Sequence, residues 1–571
     1  MDQAENRSSS RRELVLLLGL LILVAGLRVP GVAQPFDNDS AAVAYHGRLI
    51  NQGLPLYGEH HPGHHMPAAY YTFAIVFRLL GDSVAAIKIV LIPWTFLVAV
   101  VVYRTGRLLF DRAAGIIAAV ICVFLSSHQR LLGLTGEIEL WANLPRALGV
   151  YLVARALVTR GPGWLWGLVG LMGAWSLGFK AVYVSPIGVG GAVALIEFAR
   201  HWRDPEALPE LLRRAAWMTA GLLAGVAPML GFFAAEGLLD RFLLTFEMGR
   251  EYVAFRTEDT VWYRMFTTPL RGMARANPTV LALGLAGFVG LFAGRLNGKH
   301  RTRPTYPLAV WLFVALLEAG VTRVNFTHYH LLVIPPLALL AAPVAVAVYR
   351  LLRRRLAARS AWVRVPILVL LVATLLLTGY RRNIKLIKHW ISFQVGFHDY
   401  HSYLVRGWYL GPDLIRVQKV ADYIKANTST EDRIYYWSGD MQLYYLSERR
   451  CAADFIWPVD AEPTGAPAKI FSSTTKYILI GQNPYMPVPE WLNDGLARDY
   501  VLETVIDEQR IYRRSAAGTS TPAPQARYSE GSVRGSGTAR SACGTREGAA
   551  WDDRTSPATY CRCQSSKTSS A

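Results

Sequence analysis

The amino-acid sequence predicts an α-helical polytopic membrane protein with about eleven transmembrane helices and a small α/β domain on the extracytoplasmic side. Of its 571 residues, 52% are hydrophobic and only 18% are charged, whereas about 25% of residues are charged in ordinary soluble proteins. The mean hydropathy is +0.23. The composition excludes a disordered chain. It also excludes a typical cytosolic enzyme, because a soluble protein of this size cannot bury so much apolar surface.

Eleven stretches are read as membrane spans, because a helix needs about 20 mostly apolar residues to cross the bilayer. They are residues 13–29, 84–104, 112–128, 139–158, 163–179, 181–199, 213–235, 278–295, 306–321, 330–350 and 363–380. The first stretch follows Arg11 and Arg12 but has no convincing small-residue cleavage site. It is therefore predicted to be a retained anchor and not a signal peptide.

Lysine and arginine in the short loops predict the orientation, since basic loops stay in the cytoplasm. With a cytoplasmic N-terminus, five consecutive inner loops are basic; the last of them carries Arg350, Arg353, Arg354, Arg355 and Arg359. This anchoring absorbs much of the net charge of +19, so nucleic acid is not an expected partner. We expect a multi-pass protein of the plasma (inner) membrane, with its C-terminal region outside.

The chain divides into three predicted regions. Residues 1–380 form the transmembrane domain, which includes a long first outer loop over 30–83. Residues 381–513 are mixed in character: a helix is predicted over 420–425, and strands over 433–437, 476–480 and 510–512. Residues 514–571 contain mostly Ser, Thr, Gly, Ala and Arg, which predicts a disordered tail with no assigned function. The five cysteines are too few and too scattered for a disulfide framework or a zinc site.

Acids, cations and aromatic residues from five separate loops are predicted to reach the outer face. The candidate site residues are Asp37, Asp39, His65, Tyr70, Glu139, Lys180, Arg323, His328 and Tyr329. Carboxylates can act as general bases, and clustered Arg, Lys and Tyr can neutralise a phosphate. A polyisoprenoid-linked substrate at the edge of the bilayer needs both. Tyr70 lies within residues 67–80, whose apolar spacing predicts an interfacial amphipathic helix.

Single features of this set also have simpler explanations. Lys180 can be an anchor that reaches the interface from a span end, and Glu137 and Glu139 can be solvated loop carboxylates. The loop histidines have the i, i+4 spacing of metal ligands, but Pro62 and Gly63 interrupt that helix, so no metal site is predicted. Participation of a divalent cation stays open.

Several short motifs occur in an order that resembles a known family. The first loop carries Asp39, then Ala44 and Tyr45, Gly47, Gln52 and Gly53, Pro55 and Tyr57, then His64, Pro67, Tyr70 and Tyr71, and ends in Gly81, Asp82 and Ser83. Later motifs are Ile138, Glu139, Leu140 and Trp141 with Pro145; Gly178, Phe179 and Lys180; and Phe326, Thr327, His328 and Tyr329 with Pro335 and Pro336. C-terminal motifs are Val420 to Ile424, Arg433 with Ile434, and Tyr444 to Ser447.

Over about residues 13–513 these motifs resemble the GT-C type glycosyltransferases that use polyprenyl-phosphate sugars. More narrowly, they are similar to the bacterial protein mannosyltransferase family, which includes the lipid A aminoarabinose transferase. Two departures stand out. Ser40 replaces the Glu that usually follows the family's catalytic Asp, and His65 with Met66 replaces its Lys-Pro pair. The second departure moves the expected phosphate contacts to Lys180, Arg323 and Tyr329.

The resemblance implies inverting transfer of a sugar from a polyprenyl-phosphate donor to an envelope lipid, glycan or protein on the extracytoplasmic face. It implies that Asp39 is the general base, with Asp37 as the second candidate. Lys180, Arg323, His328 and Tyr329 would stabilise the departing phosphate, and Glu139 would orient the sugar or a cation. The sequence contains no Gly-rich phosphate loop, which fits a lipid-linked rather than a nucleotide-linked donor.

Three other functions stay open. A transporter or flippase of a lipid-linked glycan would place charges near mid-membrane and repeat one half of the chain, and no internal repeat is seen. A glycan polymerase or ligase would use similar outer-face groups but transfer a whole glycan. A non-catalytic scaffold would use its outer domain to bind a partner. The sequence identifies neither the sugar nor the acceptor.

Overall fold

The computed structural model describes residues 2–257, 260–292, 304–324, 326–408, 410–458, 466–481 and 487–515. Its helices in chain order are α1 (Asp2–Arg28), α2 (Asn38–Asn51), α3 (Pro67–Leu80), α4 (Val84–Leu109), α5 (Arg112–Ser126), α6 (Ile138–Thr159), α7 (Trp164–Leu177), α8 (Ser185–Arg200), α9 (Ala207–Ala235), α10 (Leu239–Thr257), α11 (Arg264–Ala276), α12 (Pro278–Phe292), α13 (Tyr306–Gly320), α14 (Ile334–Arg355), α15 (Ala361–Leu377), α16 (Arg381–Gln394), α17 (Tyr400–Gly407), α18 (Gly411–Asn427), α19 (Gln442–Ser447), α20 (Ala466–Ile470) and α21 (Glu490–Asp499). The strands are β1 (Arg433–Trp437), β2 (Arg450–Cys451), β3 (Thr475–Ile480), β4 (Tyr500–Ile506) and β5 (Gln509–Arg514).

Each of the eleven apolar stretches coincides with a helix: α1, α4 to α9 and α12 to α15. Residues 293–295 of the eighth stretch lie outside the described residues. By length and apolar composition, four helical segments of the described chain can cross a membrane by themselves: Arg11–Gly31, Val84–Leu109, Ala207–Ala235 and Thr327–Arg355. Helices α15 and α16 together form a fifth candidate, bent by 91°. A polytopic membrane protein is therefore supported, while the count of eleven spans stays a prediction.

Small residues let the membrane helices approach each other closely. A Cβ atom added to Gly106 of α4 would lie 2.7 Å from the Cα of Gly115 in α5, so the two backbones are in direct contact. Inside lipid the hydrophobic effect does not drive helices together, so close packing at small residues stabilises their association instead.

Helix α3 has the bounds that the sequence predicts, and it is amphipathic. Tyr70, Phe73 and Phe77 are buried, whereas Ile75 and Leu79 are 57% and 75% exposed. Pro67 begins the helix, where a proline costs no hydrogen bond. The position of this helix at the membrane interface stays a prediction.

The C-terminal region contains one five-stranded sheet in the order β2-β1-β3-β5-β4. Strands β2, β1 and β3 are parallel, and β5 is antiparallel to both β3 and β4. The predicted helix over 420–425 lies within α18, and the three predicted strands lie within β1, β3 and β5. Arg514 is the last residue of β5, and from residue 516 the predicted tail lies outside the described residues.

The first two helices after α15 do not join the sheet. Leu386 of α16 and Tyr403 and Leu404 of α17 form a separate cluster with Leu134. Leu134 lies between α5 and α6, in the predicted second outer loop. The boundary predicted at residue 380 therefore precedes two helices that pack against the helical domain.

The C-terminal sheet region is docked on helix α2. The Tyr45 hydroxyl accepts a hydrogen bond from the Cys451 amide at 2.9 Å. Arg48 donates to the Tyr445 carbonyl at 2.6 Å. These contacts fix the position of the helix that begins beside Asp39.

Candidate functional site

Asp39 lies in the first turn of α2, two residues after Asp37, which is the residue before the helix. The start of a helix suits a carboxylate because the free backbone amides there favour negative charge. The Ser40 hydroxyl accepts a hydrogen bond from the Gly136 amide at 3.1 Å. That bond ties the Asp39 turn to the residue next to Glu137.

His328 lies between two carboxylates. Its Nε2 atom is 3.6 Å from Asp39 Oδ2, and its Nδ1 atom is 3.6 Å from Glu137 Oε1. It belongs to a 3₁₀ helix, Thr327–Val333, that leads directly into α14. The ligand atoms of these three residues all lie within 4.8 Å of one another, so together they can hold a metal ion.

Lys180 and Tyr329 form the cationic side of the same site. The Lys180 ammonium donates a hydrogen bond to the Tyr329 hydroxyl at 2.7 Å, and it lies 4.3 Å from the centre of that ring. The turn that carries Lys180 is held by the first outer loop, because the Met66 and Ala68 amides donate to the Phe179 and Gly178 carbonyls. Both side chains are buried, with 6% and 5% exposure.

Glu139 faces this cation from the start of α6. It accepts a hydrogen bond from the Tyr183 hydroxyl, and its charge interacts with Lys180. Burial lowers the pKa of Lys180, while the charges of Glu139 and Asp39 oppose that shift. Lys180 thus has a phenol as its hydrogen-bond partner and interacts electrostatically with three carboxylates.

Two carboxylates of the site, Glu137 and Asp39, have a raised pKa. Burial, followed by the charge of Asp37, raises the pKa of Glu137 well above its usual value. Burial also raises the pKa of Asp39, although the nearby His328 opposes the shift. A side-chain hydrogen bond between Glu137 and Asp37 adds to the upward shift of the Glu137 pKa.

Two further predicted residues approach the site and one does not. His65 interacts electrostatically with Lys180 and His328; burial, and then these neighbours together with His64, lower its pKa well below the usual value. Tyr70 interacts with Asp39, but its hydroxyl donates to the Pro62 carbonyl. The Arg323 guanidinium donates to the Thr260 carbonyl at 2.7 Å, and among the described residues no hydrogen bond or ion pair joins it to the site.

His60 and His61 of the first loop have partners outside the site. His60 contacts the Ala453 carbonyl and His61 contacts the Arg241 carbonyl. Within the described residues, the group of Asp39, Glu137 and His328 is the one metal-capable cluster of three or more such side chains.

The sequence did not reveal the role of a buried ionic cluster beneath the site. Arg146 of α6 and Glu318 of α13 form an ion pair in which both side chains are at most 1% exposed. Glu318 also accepts hydrogen bonds from the amide and hydroxyl of Ser185, and Arg146 donates to Asn143 and to the Leu332 carbonyl. Leu332 belongs to the 3₁₀ helix of His328, so this cluster supports the site.

Both residues of that ion pair occur singly in apolar stretches, and no local spacing links them. Tyr183 was missed, and Glu137 was named only as a loop carboxylate, because their partners come from distant parts of the chain. Placement of charged residues inside predicted spans is the signal that could have found Arg146 and Glu318.

Comparison with known proteins identifies the fold. The structure of ArnT from Cupriavidus metallidurans bound to undecaprenyl phosphate aligns with 90% of this chain and 99% of its own, with a TM-score of 0.53 and 12% identity. The Archaeoglobus fulgidus oligosaccharyltransferase AglB, in complex with an inhibitory peptide and a dolichol-phosphate, aligns over 83% of this chain and 69% of its own, with a TM-score of 0.50 and 14% identity. The chain has the GT-C fold. The resemblance seen in the sequence is thus confirmed at the level of the fold.

A family model described as "Putative competence-induced protein Ccs4 C-terminal domain" matches residues 416–514, which include the whole sheet. No curated protein matches the chain significantly.

Proposed function

We propose that this protein transfers a sugar from a polyprenyl-phosphate donor to a hydroxyl acceptor of the envelope, on the extracytoplasmic face and with inversion at the anomeric carbon. Asp39 is the general base. The donor phosphate lies against Lys180 and Tyr329, and its lipid tail lies between membrane helices.

The accessibility of the carboxylates carries this proposal. The Asp39 side chain is 35% exposed, whereas that of Glu137 is 2% exposed. Asp37 and Glu139 are also buried, at 5% and 1%. Asp39 is therefore the carboxylate of this cluster that an incoming hydroxyl can reach, and the buried acids are suited to positioning.

The reaction needs one proton transfer and one displacement. The acceptor oxygen attacks the anomeric carbon while its proton passes to Asp39, and the bond between that carbon and the phosphate oxygen breaks. Polyprenyl phosphate leaves with the bonding electrons. The Lys180 ammonium stabilises the charge that develops on the leaving oxygen, since charge-assisted bonds are about twice as strong as neutral ones.

His328 positions the base in this scheme. It contacts Asp39 on one side and Glu137 on the other, so the ring holds the Asp39 carboxylate in place. Glu139 orients Lys180 or the sugar through its contacts at the start of α6.

The test is transfer of a radiolabelled sugar from a polyprenyl phosphate in proteoliposomes, with envelope extract as acceptor. Asp39→Asn should lower turnover by about 10²- to 10⁴-fold, the usual contribution of a positioned base. Asp240→Asn, an exposed acid at the start of α10, is the matched control and should leave turnover unchanged. Wild-type turnover in both Asp39→Asn and Asp37→Asn would rule out the assigned base. Movement of the donor across the bilayer without a new glycosidic bond would favour a flippase.

A second candidate role of Asp39, Glu137 and His328 is metal binding, because their ligand atoms all lie within 4.8 Å of one another. Two carboxylates and an imidazole are a donor set that Zn²⁺ and similar divalent cations accept. In that case Asp39, Glu137 and His328 would hold the ion, which would supply Lewis-acid stabilisation of the phosphate. Loss of transfer in EDTA with recovery on adding Mn²⁺ or Zn²⁺ would support this use; full activity in EDTA would support Asp39 as a free base.

A further inference from the structure

Helix α16 lies at a right angle to α15, which the sequence predicts as the eleventh membrane span. The axes of α15 and α16 differ by 91° across a break of at most four residues. Transmembrane helices tilt by about 20° from the bilayer normal on average. A helix perpendicular to α15 therefore lies close to the plane of the membrane surface.

The side chains of α16 form three separate faces. Leu386, Trp390 and Phe393 pack against the second outer loop and α17. Ile384 and Ile391, two helical turns apart, are 51% and 49% exposed. This apolar stripe continues beyond the helix into two more exposed residues, Val395 at 60% and Phe397 at 83%.

The third face is basic. Arg381, Lys385 and Lys388 are exposed, and no ion pair involves any of them in the part of the chain that the structure describes. His389, on the same helix, stacks on the ring of His398, with the ring centres 5.3 Å apart. Three unpaired positive charges of the described residues therefore lie beside the apolar stripe.

We propose that α16 is an in-plane membrane helix that binds anionic phospholipid headgroups through Lys385 and Lys388, with Ile384 and Ile391 inserted among the acyl chains. A basic face beside an apolar face on one helix is the pattern of interfacial helices. The right-angled turn after α15 places both faces at the depth where headgroups meet acyl chains. This binding is independent of sugar transfer.

The helix is joined firmly to the rest of the domain. The Asn383 side chain accepts a hydrogen bond from the Gln129 amide at 2.9 Å and donates one to the Ser127 carbonyl at 2.6 Å. These residues precede the loop that leads to Glu137 and α6. Helix α16, with any lipid bound to it, is thus hydrogen-bonded to the helical domain through Asn383.

The experiment uses the full chain in nanodiscs that contain phosphatidylcholine with 30% phosphatidylglycerol. A photo-reactive amino acid replaces Ile391, and lipid adducts are identified by mass spectrometry after irradiation. The expected result is a lipid adduct enriched in phosphatidylglycerol above its bulk fraction. The same probe at Leu502, an exposed residue of β4, should give no lipid adduct.

Charge is then tested in the probe background. Lys385→Ala with Lys388→Ala should lower the ratio of phosphatidylglycerol adducts to phosphatidylcholine adducts toward the bulk lipid ratio, by up to about thirtyfold, since each basic residue near an anionic surface contributes about fivefold. Lys419→Ala with Lys469→Ala removes the same charge from two exposed lysines that already pair with acids, and it should change nothing. High salt should abolish the enrichment, because surface charges are screened.

The outcomes are decisive in either direction. Enrichment that depends on Lys385 and Lys388 supports the proposal. A lipid adduct at Ile391 with no preference for phosphatidylglycerol in either background refutes the headgroup site. No lipid adduct, or a protein adduct instead, refutes the in-plane position.

Discussion

The buried ion pair between Arg146 and Glu318 allows a sharp test of how the site is supported. Glu318→Ala removes four acceptor contacts: two from Arg146 and two from Ser185. The guanidinium keeps Asn143 and the Leu332 carbonyl as neutral partners, and its side chain has 0% exposure. The variant therefore contains a buried positive charge with no counter-ion.

Breaking a buried pair by removing one partner typically costs about 3–5 kcal/mol. Glu13→Ala is the matched control, because it breaks an ion pair with Arg107, whose side chain is 50% exposed. Exposed pairs contribute about 0–1 kcal/mol, so the control should shift the thermal unfolding midpoint several times less. The measurement is intrinsic fluorescence during heating of the purified protein in nanodiscs.

A doubly neutral variant identifies the cause of the loss. Arg146→Gln with Glu318→Gln removes both charges and keeps polar groups of similar length, so it should recover part of the stability that Glu318→Ala loses. Equal midpoints for Glu318→Ala and Glu13→Ala would refute the reasoning. A double variant less stable than Glu318→Ala would show that the uncompensated charge is not the cause.

Three further predictions concern the site and the docked sheet. Lys180→Met should raise the KM for the lipid donor about tenfold or more, because a hydrogen bond to a charged group contributes about 1.5–3 kcal/mol; an unchanged KM in proteoliposomes would contradict the phosphate role. Burial raises the pKa of Asp39, and a general base acts only when it is deprotonated. We therefore expect kcat/KM to fall as the pH decreases, with the midpoint of the fall above the usual pKa of an aspartate. A pH profile of kcat/KM that stays flat down to pH 4 would contradict this expectation. Arg433→Ala removes the ion pair with Glu59, whose side chain is 30% exposed, so it should speed hydrogen exchange around Glu59 while costing no more than about 1 kcal/mol. Exchange equal to wild type would show that this pair does not hold the sheet region on the first outer loop.

Local patterns in the sequence were sufficient for most of the helices. Apolar stretches of sufficient length predict helices because burial in lipid or against other helices requires internal backbone hydrogen bonding. All eleven stretches are helical for this reason, and α3 even has the predicted bounds. The same patterns did not predict α10 and α11, which lie in an outer loop of mixed composition.

The site was partly predictable because its residues occur in short ordered motifs. Asp39, Lys180, His328 and Tyr329 come from such motifs, and the structure brings them together. Glu137 was visible as a loop acid, but its partnership with His328 depends on two loops that are far apart in the chain. Arg323 has the expected charge but contacts Thr260, since its direction depends on loop geometry that spacing does not encode.

The docking of the sheet on α2 also orders events during synthesis. Tyr45 and Cys451 are separated by 406 positions, yet their hydrogen bond fixes the helix that begins beside Asp39. The ribosome must therefore release residue 451 before this helix gains its last contacts, by which time α1 to α19 have already emerged. A nascent chain that stalls earlier carries Asp39 on a helix without these contacts, so the candidate site is complete only after the C-terminal sheet region has been made.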